Sequence, residues 1–518
     1  MNVIQQISSL PRLDNLFYLA AAITVVVLAI HIIPWILDSR GIRAYPGPWL
    51  AKFSDLWLTW TVLQGHRSEV VHELHKKYGA FLVRIAPNHI SISDHNALEV
   101  VYAHGNRATK TEFYDAFATT GHGLFSVRDR AAHSRKRKIV SHIFAPKAVL
   151  EFEPHVEEHL TTLIQQWDRM CEGGVKGMEG EEGEGWKGRD GRVWFNCLAW
   201  FGFLAFDMIG DLSFGSSFGM LVAAKDSAPI AKSYKEVMQT FDHVEEGKAV
   251  TSEEFGDTPA VKFLRERGGY TATMGTIPSS WRPFAKYIPA ISRGKKALKS
   301  LAGVGVAAVA KRLSTPSYSV DFLAKLLEGR DDSGAPLGPV ELTSEALTLL
   351  LGGSATTTNT LTSIAYYLAA NPHCQKILQK ELDEALAGED VLVYSHVAVK
   401  HLRYLDAVIN ESMRMHSLVG MGLPREVPDG GMVVLGKFFP EGTVLSVPSY
   451  SVHHDASVWG DDVEVFKPER WLEDHHAHAK AFYPFSFGPR VCVGRNLVAM
   501  EMPIFIASLF RRYEFVLD

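Results

Sequence analysis

Cysteine is scarce in this chain of 518 residues, which contains four: Cys171, Cys197, Cys374 and Cys492. They are scattered and form no CxxC pair, which argues against a disulfide framework and against a structural zinc site. Such usage is typical of a catalytic region that faces a reducing compartment. Positive charge is not in excess either, because 53 basic residues stand against 58 acidic ones. Nothing therefore indicates a nucleic-acid partner.

Charged side chains are also absent from residues 16–37, a run of 22 residues. As a helix it would extend about 33 Å, enough to cross the hydrocarbon core of a bilayer. A cleaved signal peptide is the alternative, but its apolar core would be shorter and small residues would mark a cleavage site. Arg40 and Arg43 follow the run closely, whereas Arg12 before it is offset by an acidic neighbour. The positive-inside rule therefore puts the body of the chain in the cytoplasm.

These features divide the chain into a lumenal N-terminus over 1–15, a transmembrane anchor over 16–37, a hinge over 38–50 and a catalytic body over 51–518. The hinge contains YPGPWL, in which two prolines around a glycine cannot continue a helix, so the chain turns stiffly there. Within the body, residues 172–192 include eight glycines and five glutamates. This composition predicts a flexible surface insertion rather than a functional acidic tract.

Helical periodicity dominates the body. The predicted helices cover 147–167, 200–212, 295–313, 343–370 and 373–386. A hairpin is predicted within 81–93 and short strands within 432–447, so we expect a mainly α fold with a minor β region. Residues 303–308 read GVGVAA and fit the GxGxxA dinucleotide fingerprint. They lie inside a helical run rather than after a strand, so we expect no nicotinamide site there.

Cys492 stands in the segment PFSFGPRVCVGRNLVAM, with Phe485 seven residues before it. Gly488 and Gly494 flank it and free the backbone, so that amide N–H groups can turn toward a metal-bound thiolate. The helical run after Gly494 would aim its positive end at the sulfur. Arg490 offers a fixed cation for a carboxylate such as a haem propionate. A lone cysteine is usually a small buried residue, but this pattern predicts an iron ligand.

The ten residues FSFGPRVCVG resemble the haem-ligand loop of the cytochrome P450 monooxygenases. The resemblance extends over nearly the whole chain from Tyr45, and stretches such as GLFSVRDRAAHSRKRKIVSH and GLPREVP resemble the fungal benzoate para-hydroxylase branch. It implies the cytochrome P450 fold, and haem b with Cys492 as the axial iron ligand. Because no flavin or nicotinamide module is visible, it also implies electrons from NADPH through a partner cytochrome P450 reductase. The implied location is the endoplasmic reticulum membrane, with a cytosolic catalytic domain.

Glu411 and Arg414 stand three residues apart in ESMR, so on a helix their side chains share a face and can pair. Alone, this spacing is typical of a routine surface ion pair. The resemblance adds Arg470 of FKPERW as a third member behind the cysteine loop, which would set one carboxylate between two guanidiniums. The implied role of the three residues is structural support of the haem loop.

Further haem contacts are implied by the same resemblance. Arg425 in LPRE falls where the family often places an arginine for a haem propionate. His133 and Arg137 match a pattern in which Trp or His precedes Arg by four, and on a helix they would share a face and could bind one propionate. The other basic residues of HSRKRK are expected to form a solvated face that can dock an acidic redox partner. They are Arg135, Lys136 and Lys138.

The long predicted helix contains GGSATTTNT. Glycine in a helix costs about 1 kcal/mol relative to alanine, so Gly352 and Gly353 need a packing or functional reason, and bare backbone would let a flat cofactor and dioxygen approach. The family pattern (A/G)-G-x-(D/E)-T-(T/S) implies that Thr356 steers protons during oxygen activation. This chain departs from the pattern, because Ala355 occupies the acidic position. Protons would then reach Thr356 through water or through the hydroxyl of Ser354.

The implied reaction inserts one oxygen atom from O2 into an apolar organic substrate. The branch resemblance favours a small aromatic acid. The missing acid, the extra loop and an end before the family's C-terminal pocket hairpin favour instead a tailoring step in fungal secondary metabolism, and this is the function we expect. A non-catalytic haem protein is a remote alternative, because it would not need Gly353 and Thr356. The expected pocket residues are Tyr114, Phe117, Gly352, Gly353, Val419 and Leu423.

Overall fold

The computed structural model describes residues 13–232, 255–314, 321–331, 333–473 and 476–518. Its α-helices are α1 (Leu13–Leu37), α2 (Leu56–Leu63), α3 (Arg67–Tyr78), α4 (Ala97–Tyr102), α5 (Arg130–Ser141), α6 (Pro146–Val149), α7 (Glu153–Val175), α8 (Cys197–Phe214), α9 (Met220–Ala223), α10 (Ala260–Thr276), α11 (Arg282–Ala285), α12 (Pro289–Ser314), α13 (Phe322–Leu327), α14 (Pro339–Ala370), α15 (Pro372–Ala385), α16 (His396–Val399), α17 (Arg403–Met415), α18 (Ser449–His453), α19 (Ala456–Trp459), α20 (His476–Ala481) and α21 (Arg495–Arg512).

The strands are short by comparison. They are β1 (Leu82–Ala86), β2 (His89–Ile92), β3 (Thr109–Lys110), β4 (Trp186–Arg189), β5 (Arg192–Phe195), β6 (Ala228–Ala231), β7 (Phe255–Thr258), β8 (Arg425–Glu426), β9 (Met432–Val434), β10 (Lys437–Phe439) and β11 (Val444–Ser446). The predicted mainly α fold with a minor β region is confirmed. The predicted hairpin is β1 paired antiparallel with β2, with Leu82 opposite Ile92.

The predicted helices are confirmed, and the structure extends most of them. α14 begins four residues before the predicted start, with Pro339 in its first turn, where a missing N–H removes no helical hydrogen bond. The helix predicted over 147–167 is divided into α6, a 3₁₀ turn (Leu150–Phe152) and α7. A proline in the first turn of α7 marks that new start, because proline is tolerated there but not inside a helix.

One sheet of five strands brings distant parts of the chain together in the order β1-β2-β11-β8-β3. β11 lies parallel to β2 and antiparallel to β8, and β3 pairs antiparallel with β8. This register sets Lys110 directly opposite Arg425. The sheet therefore brings together two cations that lie far apart in the sequence.

The helical core is built around α8 and α14. α8 is apolar enough to resemble a membrane span, but 78% of its apolar window is buried inside the protein. A Cβ atom at Gly353 would lie 2.7 Å from Cδ1 of Ile209. This glycine therefore lets α14 pack closely on α8. The prediction that Gly353 lines the substrate pocket is wrong, because its side of the helix is filled by α8.

Glycines have the same role in α12. A Cβ atom at Gly303 would meet Ile230 of β6, and one at Gly305 would meet Leu347 of α14. The GVGVAA segment thus lies in the interior of a helix, as expected, rather than in the turn after a strand. Its glycines serve close packing instead of a phosphate-binding loop.

The apolar N-terminal helix stands apart from the core. Residues Phe17–Leu37 of α1 have a mean hydropathy of 2.4, and none of this window is buried, which makes it a candidate membrane span. Its C-terminal end contacts the body, because Nδ1 of His31 lies 2.8 Å from the carbonyl oxygen of Phe53. The hinge is held as well, since the N–H of Arg84 donates to the carbonyl oxygen of Pro46 at 2.7 Å.

Residues 172–192 do not form the predicted loop throughout. α7 continues to Val175, and β4 and β5 pair as an antiparallel hairpin. The ring of Trp186 is buried against Gly173, where a Cβ atom would lie 2.8 Å from it. The prediction of a segment without regular structure is therefore wrong for both ends of the insertion. The composition misled because its glycines permit close packing of the hairpin on α7.

Candidate active site

The cysteine loop holds Cys492 immediately before α21. The backbone N–H of Cys492 donates to the carbonyl oxygen of Phe485 at 2.9 Å, and a Cβ atom on Gly494 would lie 4.0 Å from Sγ. Burial raises the pKa of the Cys492 thiol, while the N–H groups of Gly494 and Arg495 and the guanidinium of Arg137 lower it. The loop therefore directs backbone dipoles and positive charge at a sulfur that is deep in the protein, as a thiolate ligand requires.

The sulfur of Cys492 also opens onto a cleft of about 230 Å³. The cleft lies between the C-terminal end of α5, the turn that begins α6 and the start of α21. Its lining residues are Arg137, Ser141, Phe144, Ala145, Pro146, Cys492, Val493, Arg495 and Asn496. The cysteine is thus accessible on one side although protein surrounds it on the others.

Gly488 has a backbone φ of +70°, and a Cβ atom at this position would collide with the carbonyl oxygen of Tyr102 at the end of α4. A side chain here would therefore be both strained and obstructed. Gly488 fixes how closely the cysteine loop approaches α4. Phe485, at the other end of the loop, is half-buried and packs against the main hydrophobic core.

Behind the loop, Glu411 receives hydrogen bonds from two buried guanidiniums. Arg414 donates through Nε and Nη2 at 2.8 Å each, and Arg470 donates through Nε at 2.9 Å. The indole N–H of Trp471 and the backbone N–H of Lys467 complete the set at 2.9 and 3.0 Å. All the acceptor positions of this carboxylate are used, and the guanidiniums hold its pKa below the usual range against burial, which raises it. The predicted three-residue cluster is present.

Five basic side chains converge on the other side of the loop. They are Lys110, His133, Arg137, Arg425 and Arg490. Burial and, after it, the charges of the four neighbouring basic residues lower the pKa of His133 to about 3. This histidine is therefore neutral at physiological pH.

Their hydrogen bonds go to uncharged oxygens. Nη1 of Arg425 donates to the hydroxyl of Tyr114 at 2.6 Å, Nη1 of Arg490 to the carbonyl oxygen of Val127 at 2.9 Å, and Nη1 of Arg137 to that of Val491 at 2.7 Å. Nζ of Lys110 donates to the carbonyl oxygen of Phe125. Buried cations with neutral acceptors produce a strongly positive site, which fits a dianionic ligand edge.

Lys110 was not expected from the sequence. It is buried, and burial followed by the charges of Arg490 and Arg425 lowers its pKa well below the usual value. Its Nζ lies 4.5 Å from the centroid of the Tyr114 ring. The dipeptide Thr-Lys carries no motif, so only the pairing of β3 with β8 reveals this member of the cluster.

The basic face predicted on α5 is different in the structure. Lys136 is buried, and its Nζ lies 2.8 Å from Oε1 of Glu345. Arg135 pairs with Glu341 at 2.7 Å. Two of the three residues predicted to be solvated are therefore tied to α14, because acidic residues one helix turn apart on α14 face them. Lys138 is exposed as predicted.

On α14, Gly352 and Thr356 lie one turn apart and face open space, with nothing within 4 Å of a Cβ atom built on Gly352. Oγ1 of Thr356 donates to the carbonyl oxygen of Gly352 at 2.6 Å. Ser354 is fully buried on the opposite side and donates to the carbonyl oxygen of Leu350 at 2.7 Å. Residues two apart lie on nearly opposite faces of a helix, so the structure does not bring Ser354 and Thr356 together. This corrects the expectation that Ser354 relays protons.

The predicted pocket residues of the 3₁₀ turn Glu112–Phe117 belong to an aromatic cluster. Phe117 lies 5.2 Å from Phe113 and 5.3 Å from Phe125, between ring centroids, and Tyr114 lies 5.6 Å from Phe125. Val419 and Leu423 lie in the turn after α17, where the carbonyl oxygen of Leu423 accepts a hydrogen bond from the hydroxyl of Tyr102 at 2.8 Å. The Tyr102 hydroxyl thus ties that turn to α4, next to the cation cluster.

Glu501 is a buried acid that the sequence analysis did not consider. Its Oε1 accepts a hydrogen bond from Thr357 at 3.1 Å, and Oε2 has no partner among the residues described. Burial raises the pKa of Glu501 to about 7. Its position on α21, two turns after Gly494, was the available signal.

A family model described as Cytochrome P450 matches residues 48–518, so the chain belongs to the cytochrome P450 family. Benzoate 4-monooxygenase of Aspergillus niger is 42% identical to it over 500 residues, which cover 94% of this chain and 90% of that protein. Pisatin demethylase of Fusarium vanettenii is 29% identical over 488 residues (92% and 84%). Tryprostatin B 6-hydroxylase of Neosartorya fischeri is 29% identical over 478 residues (91% and 76%).

Family membership implies a haem whose iron is bound by a cysteine thiolate, and the residues present fit this group. Cys492 supplies one sulfur toward which backbone N–H groups point, and the basic side chains around neutral His133 provide positive charge for two propionates. The family therefore implies a haem-thiolate oxidoreductase, and the residues of the site fit that class.

Proposed function

We propose that this protein is a membrane-anchored monooxygenase that hydroxylates the ring of a small aromatic carboxylic acid, with O2 and with electrons from NADPH supplied through a separate reductase. The observation that carries the substrate class is the identity of 42% over 94% of the chain to a benzoate 4-monooxygenase. That identity outweighs the preference for a tailoring step, which rested on three departures from the family pattern.

In this proposal, Cys492 binds the haem iron, and Arg137, Arg425, Arg490, Lys110 and neutral His133 hold the propionate edge. When bound, a haem with a thiolate ligand supplies the cleavage of the O–O bond of dioxygen. The role of Phe485, Gly488 and Gly494 is to shape the loop that presents the sulfur. Glu411, Arg414 and Arg470 keep that loop in position and take no part in bond chemistry.

Thr356 is the proposed proton-transfer residue. Its hydroxyl donates its own hydrogen to Gly352, which leaves the oxygen lone pairs facing open space, where they can accept a hydrogen bond from water. Since Ala355 offers no carboxylate, protons arrive at Thr356 from solvent rather than from a charged side chain. We therefore expect turnover that releases some peroxide beside product.

The anchoring part of the proposal places α1 across the endoplasmic reticulum membrane and the body in the cytosol. None of the apolar window of α1 is buried. Trp49 and Trp60 are exposed near its inner end, and tryptophan is enriched at membrane interfaces. A truncation that removes residues before the hinge should release the protein from membranes and leave haem binding intact, whereas retention on membranes would contradict this part.

A second candidate function is a tailoring step on a larger natural product. The relatives named pisatin demethylase and tryprostatin B 6-hydroxylase favour it, at 29% identity each. The test for both candidates is turnover of the full-length protein with a fungal reductase, NADPH and benzoate. Hydroxylated benzoate supports the first function. Reduced protein that absorbs at about 450 nm with carbon monoxide, but leaves benzoate unchanged, supports the second, and the absence of that band would contradict the monooxygenase class.

A further inference from the structure

Arg67, the first residue of α3, is a buried cation that the haem site does not use. Arg67 is 6% exposed. Nη1 donates to the sulfur of Met421 at 3.4 Å, and Nε has no partner in the described part of the chain. A thioether is a weak acceptor, and a buried charge without a counterion is costly by several kcal/mol. An anion that joined the guanidinium would offset this cost.

Arg67 lies at the edge of the expected substrate pocket. Met421 belongs to the turn that contains Val419 and Leu423, and the hydroxyl of Ser68, the next residue on α3, would lie 3.0 Å from a Cβ atom on Gly420. The charge of Arg67 also acts on the hydroxyl of Tyr114. The guanidinium therefore lies between the start of α3, this turn and Tyr114.

Arg67 is separate from the five basic side chains that we propose hold the haem propionates. The charges that act on Lys110 are those of Arg490 and Arg425, whereas Tyr114 is the titratable group that acts on Arg67. The hydroxyl of Tyr114 already accepts the hydrogen bond of Arg425. Tyr114 thus interacts both with the haem-edge cations and with Arg67, and we assign the two groups different anions.

Among the residues that the structure describes, Tyr114 is the titratable group that acts on Arg67, and no carboxylate does. Burial lowers the pKa of Arg67 to about 10, so it is still a cation at neutral pH. The neighbouring His89 is buried, and burial together with the charge of Arg67 lowers its pKa to about 3. Nε2 of His89 lies 2.8 Å from Oγ of Ser446, so this histidine is neutral and already has a partner.

We propose that Arg67 is a substrate-binding residue that pairs with the carboxylate of the substrate through Nε and an Nη atom. A guanidinium binds a carboxylate through two parallel hydrogen bonds. This inference rests on the proposed aromatic-acid function and names the residue that would bind the acid group. With the substrate carboxylate bound to Arg67, the ring lies against Tyr114 and the turn 419–423. The opposite end of the ring is then the part that is farthest from the anchor and free to react.

Arg267 of α10 provides a matched control. It is a half-buried guanidinium whose Nη2 donates to the carbonyl oxygen of Phe117 at 3.2 Å and whose Nε has no partner within the described ranges. Burial lowers its pKa to about 10 as well. It differs from Arg67 in being tied to the aromatic cluster and less buried, so it reports what the loss of any lone arginine does to this fold.

The test uses full-length haem-loaded protein and three pairs of probes: benzoate with benzamide, cinnamate with cinnamamide, and dodecanoate with its amide. Binding is measured by calorimetry and by the shift of the haem absorbance. The wild type should bind at least one acid more tightly than its amide. Arg67→Gln should weaken that acid about 100-fold and the amide less than about threefold, Arg67→Lys should retain part of the preference, and Arg267→Gln should keep it.

Equal loss of acid and amide in Arg67→Gln, selective loss in Arg267→Gln, or a wild type that prefers no acid would overturn the assignment. Haem content and the carbon monoxide spectrum show whether each variant is folded and loaded. If Arg67→Gln does not fold, Arg67→Lys and the wild-type preference still decide the matter. A preference for dodecanoate without binding of benzoate would reject the small aromatic substrate and leave Arg67 as the carboxylate anchor.

Discussion

Two groups of buried cations in this protein differ in what balances their charge. Arg414 and Arg470 share the carboxylate of Glu411, whose oxygens are fully hydrogen-bonded. Lys110, Arg425 and Arg67 have uncharged acceptors. The chain completes the first group by itself, so its function is structural. The second group needs an anion from outside, which explains why its members surround the places proposed for haem and substrate.

The largest effect should come from removing the carboxylate of the paired group. Glu411→Gln leaves buried Arg414 without its counterion and Arg470 with Asp462 alone, at 3.1 Å, and breaking such a buried pair costs about 3–5 kcal/mol. We expect little folded, haem-loaded protein, measured as haem per chain and as the unfolding temperature. Glu464→Gln is the control, since Glu464 forms exposed pairs such as that with Lys76 at 3.5 Å, which contribute at most about 1 kcal/mol. Equal stability of the two variants would remove the distinction between paired and unpaired cations.

Glu501 is the reverse case, a buried acid that pairs with no cation in the part of the chain that the structure describes. Its carboxyl has a pKa of about 7 in the folded protein against an ordinary value of 4.5. The stability that the neutral acid contributes is fully present below pH 4.5 and is lost as the pH rises through about 7. Unfolding free energies of the wild type should fall by up to about 3 kcal/mol between those two limits.

Glu501→Gln should flatten this pH dependence, because an amide does not ionise and can keep a hydrogen bond to Thr357. The measurement is chemical unfolding at a series of pH values, with Glu464→Gln again as the control that keeps the wild-type slope. A Glu501→Gln protein with an unchanged slope would show that another group titrates.

A smaller effect is expected from the unpaired group. Lys110→Met removes a buried charge whose hydrogen-bond acceptor is the carbonyl oxygen of Phe125, so the fold should tolerate it, but the propionate edge loses a cation. Haem should dissociate about tenfold faster, in line with one charged hydrogen bond of about 1.5–3 kcal/mol. Transfer of haem to an excess of apomyoglobin measures this rate. Lys138→Met, an exposed change on α5, is the control, and a variant that unfolds like Glu411→Gln would place Lys110 in the structural group.

How much of this could be predicted from the sequence depends on how local each signal is. The cysteine loop and its helix are contiguous, and the pairing of Glu411 with Arg414 follows from helical spacing. The length and apolarity of α1 and α14 could also be predicted from the sequence. Trp471 follows directly after the PER segment, so its hydrogen bond to Glu411 could have been predicted from the same motif.

The remainder depends on contacts between distant segments. Lys110 joins the cation cluster through strand register, and Lys136 is buried because α14 supplies Glu345. Arg67 carries no motif, and its isolation is visible only when every neighbour is known. Ser354 is different, because its two-residue offset from Thr356 already predicted opposite helix faces.

The smallest effect should come from uncharged groups on α14, where the same contrast between satisfied and open groups recurs. Ser354 is buried with its hydroxyl bonded to Leu350, whereas Thr356 faces open space. Thr356→Ala should lower product formed per NADPH consumed about tenfold, the usual range for one acid–base contact. Ser354→Ala is the matched control and should couple as the wild type does. Ala355→Asp should raise the product formed per NADPH above the wild-type value if the open space beside Gly352 and Thr356 admits the carboxylate. Thr356→Ala could instead form as much product per NADPH as the wild type while Ser354→Ala forms less. Protons would then travel along the buried face of α14, and exposure of a hydroxyl would not identify the proton-transfer residue.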